Sequence, residues 1–148
     1  MNAEVAYLFR HPLLRESAYQ LQLPGERSRL HAAAFAVIEE LAGGRPARVP
    51  NSEYRPQPAD RFAHELSEHA SLAGEAGGAS ATQWKDFERL YRWRAARHFE
   101  GRVDFAASCE SWVRLADLAA EETREFCFLQ AGLMARKAGA PNRAREFL

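Results

Sequence analysis

Cysteine is scarce in this chain: Cys109 and Cys127 are the only two among 148 residues, and no C-x-x-C spacing joins them. That argues against a disulfide framework and for a reducing, cytoplasmic setting. Long hydrophobic runs are missing too. Nothing approaches the ~20 apolar residues of a membrane span, and the opening MNAEVAYLFRHPLL has neither a basic leader nor a hydrophobic signal core. No membrane partner is expected. Net charge is absent, because 20 basic and 20 acidic side chains cancel, so no global field favours nucleic acid, anionic lipid or an acidic substrate. There is no G-x-x-x-x-G-K-[ST] loop to cradle a triphosphate and no apolar strand ending in an acidic metal ligand. The expectation is a non-catalytic chain with no cofactor and no metal.

What is present is enough to fold. Apolar residues make up 47% and charged residues 27%, and a chain this long can bury roughly 70% of its unfolded surface. Ala3 to Phe9, AEVAYLF, reads as one short strand stopped by Arg10, His11 and Pro12. Pro12 then opens a short helix through Leu13, Leu14, Ala18 and Leu21, ended by Pro24-Gly25. Leu30, Ala34, Val37, Ile38 and Leu41 predict the apolar stripe of a longer helix that Gly43-Gly44 terminates. Together these form an N-terminal helical unit, 1–44.

Residues 45–58 hold Pro46, Pro50, Pro56 and Pro58 and read as a surface loop. Residues 59–81 return to helical spacing through Phe62, Leu66, Ala70 and Ala73, then pass into a flexible connector, GEAGGASA. Residues 82–148 read as successive helices with breaks at Gly101, near Ala120 and at Gly139-Ala140-Pro141. Their predicted core is Leu90, Trp93, Phe105, Trp112, Leu115, Phe128 and Leu129. Gly101 and Gly139 stand 38 positions apart, as do Ala106 and Ala144, a period suited to helical repeats of about 34 to 47 residues. The second unit breaks off at Leu148, so the native array is expected to be longer.

The segments YLFRHPLLRESAY and RSRLHAAAFAVIEEL, residues 7–19 and 27–41, resemble part of the large STAND-type signalling ATPases. The matching positions are Phe9, His11, Leu13, Arg15, Ala18, Tyr19, Arg29, Leu30, His31 and Glu39, continuing in FAHELSEHASLAG at 62–74. In that family the region follows the nucleotide-binding module and winged helix and leads into tetratricopeptide repeats. RLYRWRAARHFEGRVDFAASCESWVRLADL, residues 89–118, looks like one such hairpin. Ala106 or Ala107 takes the small position of its second helix, and Arg94 or Ala95 that of its first depending on register, so a divergent helical repeat fits the stretch equally well. The resemblance implies an all-α fold of antiparallel helical hairpins in a tetratricopeptide-like right-handed array, to which the residue pattern of 3–9 would add one short N-terminal strand. It also implies a role coupling an ATPase switch to an effector.

Four constellations invite chemistry. His64 and His69 bracket a Glu-rich helical stretch, but they are spaced i, i+5 rather than the i, i+4 of a zincin, which sets them roughly 140° apart on a helix. Arg89, Arg92, Arg94, Arg97 and Arg102, with Trp84, Tyr91 and Trp93, supply the ingredients of phosphate contact and base stacking. Arranged on a helix, the same arginines would pair with Asp86, Glu88 and Glu100 while the aromatics fill a core. His11 and His31 could join Glu16 or Glu39 as an acid–base pair, but no nucleophile accompanies them. Cys109 and Cys127 sit among apolar residues as small buried hydrophobes.

The expected partner is a protein or peptide, or other domains of the same full-length protein, with homo-oligomers also expected. Arg89, Arg92, Trp93, Arg94 and Arg97 are the candidate interaction surface. Nucleic acid is the alternative, disfavoured by the neutral charge.

Overall fold

A computed structural model of the chain describes residues 17, 19–78 and 80–147. The strand expected at 3–9 and the start of the helix expected from Pro12 lie outside them. The described residues are all helical, with no strand. Six α-helices follow in order: α1 Pro24–Leu41, α2 Ala63–Gly74, α3 Ala81–Gly101, α4 Phe105–Leu118, α5 Glu121–Lys137 and α6 Pro141–Arg145. Two short 3₁₀ turns, Asn51–Glu53 and Pro58–Phe62, punctuate the loop between α1 and α2, as its prolines require. Each α-helix packs on the next through a short reversal, except that this loop separates α1 from α2.

Three helices end in the same motif. Gly43, Val103 and Gly139 have φ of 95°, 64° and 77°. Each places two N–H groups on the last helical carbonyls: Gly43 and Gly44 on Glu40 and Glu39, Val103 and Asp104 on Glu100 and Phe99, Gly139 and Ala140 on Arg136 and Ala135. This is the Schellman cap. The turn glycine expected at Gly101 is therefore displaced: Gly101 is the last residue of α3, and the left-handed residue is Val103. From Val103 to Gly139 the recurrence is 36 residues, not 38. The same step links Ser108 to Ala144, and both are buried. Ala106 faces solvent, so the small residue packed in the hairpin is Ser108, whose hydroxyl donates to the Ala96 carbonyl at 2.8 Å.

Two cores share α3. One gathers Phe35, Ala59, Ala63, Leu66, Ala70, Leu90, Tyr91 and Ala95. The other gathers Ala96, Cys109, Trp112, Leu115, Cys127, Ala131 and Met134, and Trp93 packs against both. The many alanines let the helices approach closely. At the α2–α3 junction a side chain on Gly74 would meet the Trp84 Cβ at 3.2 Å.

Two expected faces are rotated. On α1, Leu30, Val37 and Leu41 are exposed and Ile38 is half-buried, whereas Ser28 and Phe35 are buried. The inward face follows Phe35, whose ring lies 5.3 to 5.6 Å from those of Trp84, Phe87 and Tyr91 on α3. On α5, Leu129 is exposed and the core is entered by Cys127, Ala131, Met134 and Ala135. The other expected core residues of the C-terminal half are buried or partly buried.

Candidate functional site

The five α3 residues expected to form one surface are divided by the fold. Arg94 and Asp60 have side chains only 2% exposed. The Arg94 Nε donates to Asp60, and one Nη donates to the other carboxylate oxygen at 3.1 Å and to the Arg55 carbonyl at 3.0 Å. The Tyr54 hydroxyl and the Gln57 N–H complete the carboxylate's shell at 2.8 and 2.9 Å. Burial, then the bond to Asp60, push the Tyr54 hydroxyl pKa up. A buried pair is tolerable only when its hydrogen-bonding capacity is met in this way.

Arg92 is also inside, paired with Glu68 at 2.7 Å and Glu88 at 3.5 Å, and burial raises the Glu88 carboxyl pKa. Arg92 and Arg94 are thus corrected from surface to interior. α3 is sandwiched between α2 and α4, which leaves little of its circumference free. Arg97 pairs with Glu100 at 2.7 Å.

Arg89 and Trp93 do reach a concavity. A groove of about 600 Å³ runs between the Pro-rich loop, α3, α4 and the start of α5. Arg48 and Val49 form one wall, Trp112 and Leu115 the floor, and Phe126 the far side. Asn51 accepts from the Trp93 indole at 2.9 Å and so fastens the loop to α3. The Arg89 Nε donates to the Leu118 carbonyl at 2.6 Å and one Nη to Asp86 at 3.0 Å. The Trp112 indole N–H is buried and has no acceptor among the described residues. Among the described residues no carboxylate lines the groove.

The histidines regroup. His64 lies against the Phe99 ring, while His69 Nδ1 meets His31 Nδ1 of α1 at 2.8 Å. The Tyr19 hydroxyl is bonded to His31 Nε2 at 2.9 Å. Burial, then the facing His69, lower the His31 pKa. Glu39, the expected partner of His31, instead accepts from Tyr91 at 2.6 Å and pairs with Arg45 at 2.6 Å. His11 and Glu16 lie outside the described residues. Among the described residues no three His, Cys, Asp or Glu side chains are placed to share a metal ion, and no helix is long and apolar enough to cross a membrane.

No protein-family model, curated protein or solved structure matches the chain.

The two thiols are buried, and desolvation pushes Cys127 up to about 11 and raises Cys109, which makes both poor nucleophiles. Sequence reasoning missed Asp60 and Arg48, which stand alone in a proline-rich stretch. The only cue was that a buried arginine needs a carboxylate from elsewhere in the chain.

Proposed function

We propose that the chain is a non-catalytic protein-interaction segment, a tetratricopeptide-like helical array that couples a signalling ATPase to its partner. The observation that carries this reading is the uncovered face of α5. Phe126 and Leu129 are 38% and 46% exposed. They border a shallow hollow with Phe128 and Phe147, rimmed by Glu122 and Glu125. A large apolar residue set beside charged ones in this way suits a protein surface, either another domain of the same polypeptide or a separate protein. The 36-residue register that relates Val103 to Gly139 and Ser108 to Ala144 supports the repeat reading.

The reading is tested by placing a photo-crosslinking side chain at Leu129 in the native host and, as control, at the exposed Arg114. A discrete protein adduct from position 129 that the control lacks is expected, and identical diffuse labelling from both would overturn it. The ATPase link is tested on the native gene. A reading frame that runs upstream into a Gly-rich phosphate loop supports the link, and flanking stop codons end it.

A further inference from the structure

Large apolar side chains left in solvent gather at the two ends of the helical series. At one end Leu23, the N-cap of α1, and Leu30, Val37 and Leu41 within it are 53% to 80% exposed. At the other, Phe126 and Leu129 of α5 are exposed, whereas α2, α3 and α4 present no such residue among those described. Positions 23, 30, 37 and 41 fall within about 40° of one another around a helix axis, on a ridge about 27 Å long and turned about 135° from Phe35. The α5 end is a hollow instead, about 650 Å³ between Phe126, Phe128, Leu129 and Phe147. We propose that these surfaces are the two halves of one contact: the α1 ridge of one copy of the chain seats in the α5 hollow of a second copy, head to tail. The proposal rests on the interaction reading above and names the occupant of its α5 face.

Charge, symmetry and continuity select this occupant. Glu122 and Glu125 rim the hollow and form no ion pair among the described residues, since Arg124 turns to Glu121 at 3.1 Å. Beside Leu30 on the ridge, Arg29 is exposed and equally without an ion pair among them. Glu26 is occupied at its own helix end by the Leu23 N–H at 3.4 Å, and Glu40 lies toward the other end of the ridge. The acidic rim therefore meets a free cation. A two-fold contact between α5 faces would oppose Glu122 and Glu125 of both copies and leave the α1 ridge in water, and a two-fold contact between ridges would leave the hollow open. Only a heterologous contact hides both apolar patches with a single interface. It also continues the fold: each helix from α1 to α6 packs on the next, and the α1 ridge of another copy extends that series on the free side of α5.

Sedimentation velocity of the intact chain, from low micromolar to millimolar concentration, is the test, with Leu30→Asp and Leu129→Asp as blocking variants. Both positions are exposed, and unchanged far-ultraviolet circular dichroism checks that the variants fold. A charge in either surface is expected to weaken the contact roughly a hundredfold. The native chain should sediment faster as concentration rises and pass the dimer without a plateau, because a heterologous contact leaves one unused face at each end. Each variant alone should stay monomeric. Mixed in equal amounts, the two should form a one-to-one dimer and nothing larger, since Leu30→Asp keeps the hollow and Leu129→Asp keeps the ridge. A native chain that is monomeric throughout, a limiting dimer that survives Leu129→Asp, or a mixture that stays monomeric although the native chain associates would each overturn the proposal. A monomeric native chain that still gives the discrete adduct at Leu129 would sink self-association and leave the interaction reading standing, so the two fail separately.

Discussion

Val103 occupies a position that the chain elsewhere gives to glycine. Its φ of 64° puts a β-branched side chain in the left-handed region, where an L-residue is strained by roughly 1–2 kcal/mol. It is also 69% exposed, so little burial compensates. Val103→Gly is therefore expected to stabilise the protein by about 0.5–1 kcal/mol after the extra chain entropy of glycine is subtracted, read as a rise of a few degrees in thermal melting.

His31 supplies a prediction with the opposite chemistry. In the fold its pKa lies below the ordinary 6.5 because of burial and the facing His69, with Glu75 opposing and Arg27 assisting. The unfolded chain then binds more protons than the folded one as pH drops through that range, so stability is full above 6.5 and falls as pH falls below it. A protonated His31 donates from both ring nitrogens, so the 2.8 Å contact then depends on the His69 Nδ1 as its acceptor. Melting temperature should fall more steeply between about pH 7.5 and 5.5 in the native chain than in His31→Asn; parallel profiles would show that the pair carries no pH dependence.

At the scale of elements, periodicity located the helices better than it oriented them. The α1 apolar stripe, the α2 spacing and the Gly43-Gly44 stop were all visible in the sequence, because each depends on residues within a few positions. The rotation of α1 was not. Leu30, Val37 and Leu41 form the more hydrophobic stripe, but the aromatic nest of Trp84, Phe87 and Tyr91 receives Phe35, and Ser28 donates to the Leu72 carbonyl at 3.0 Å. Those partners lie dozens of residues away. The two faces are separable by experiment. Ile38→Asp, which places a charge against the core, should cost about 3 kcal/mol, whereas Leu30→Asp should stay within about 0.5 kcal/mol. Equal destabilisation in chemical denaturation would restore the sequence-based face.

The arginines of α3 show the same boundary of legibility. Partners three or four residues away, Asp86 for Arg89, Glu88 for Arg92 and Glu100 for Arg97, follow from helical spacing and are present. Asp60, which turns Arg94 from a surface cation into a buried anchor, is 34 residues distant and left no local signal.

Across the described residues, α3 is the one helix that contributes to both cores, and the Pro-rich loop crosses from one to the other. The spacing of the left-handed turns was only partly legible: Gly101 and Gly139 suggested 38 residues, because Val103 takes the place where a glycine would have marked the turn. The groove was invisible for a related reason: its walls come from four separate stretches of chain and owe nothing to a motif.

The pinned loop has a consequence for enzymatic digestion. It carries Arg45, Arg48 and Arg55, and Pro46 and Pro56 follow the first and last, bonds that trypsin leaves intact. The linkage after Arg48 is the sole basic cut site between Asn51, held by Trp93, and Arg45, held by Glu39. Brief trypsin treatment of the native protein should nick the loop there, and Phe35 in its aromatic nest should keep the two fragments together through gel filtration until denaturant is added.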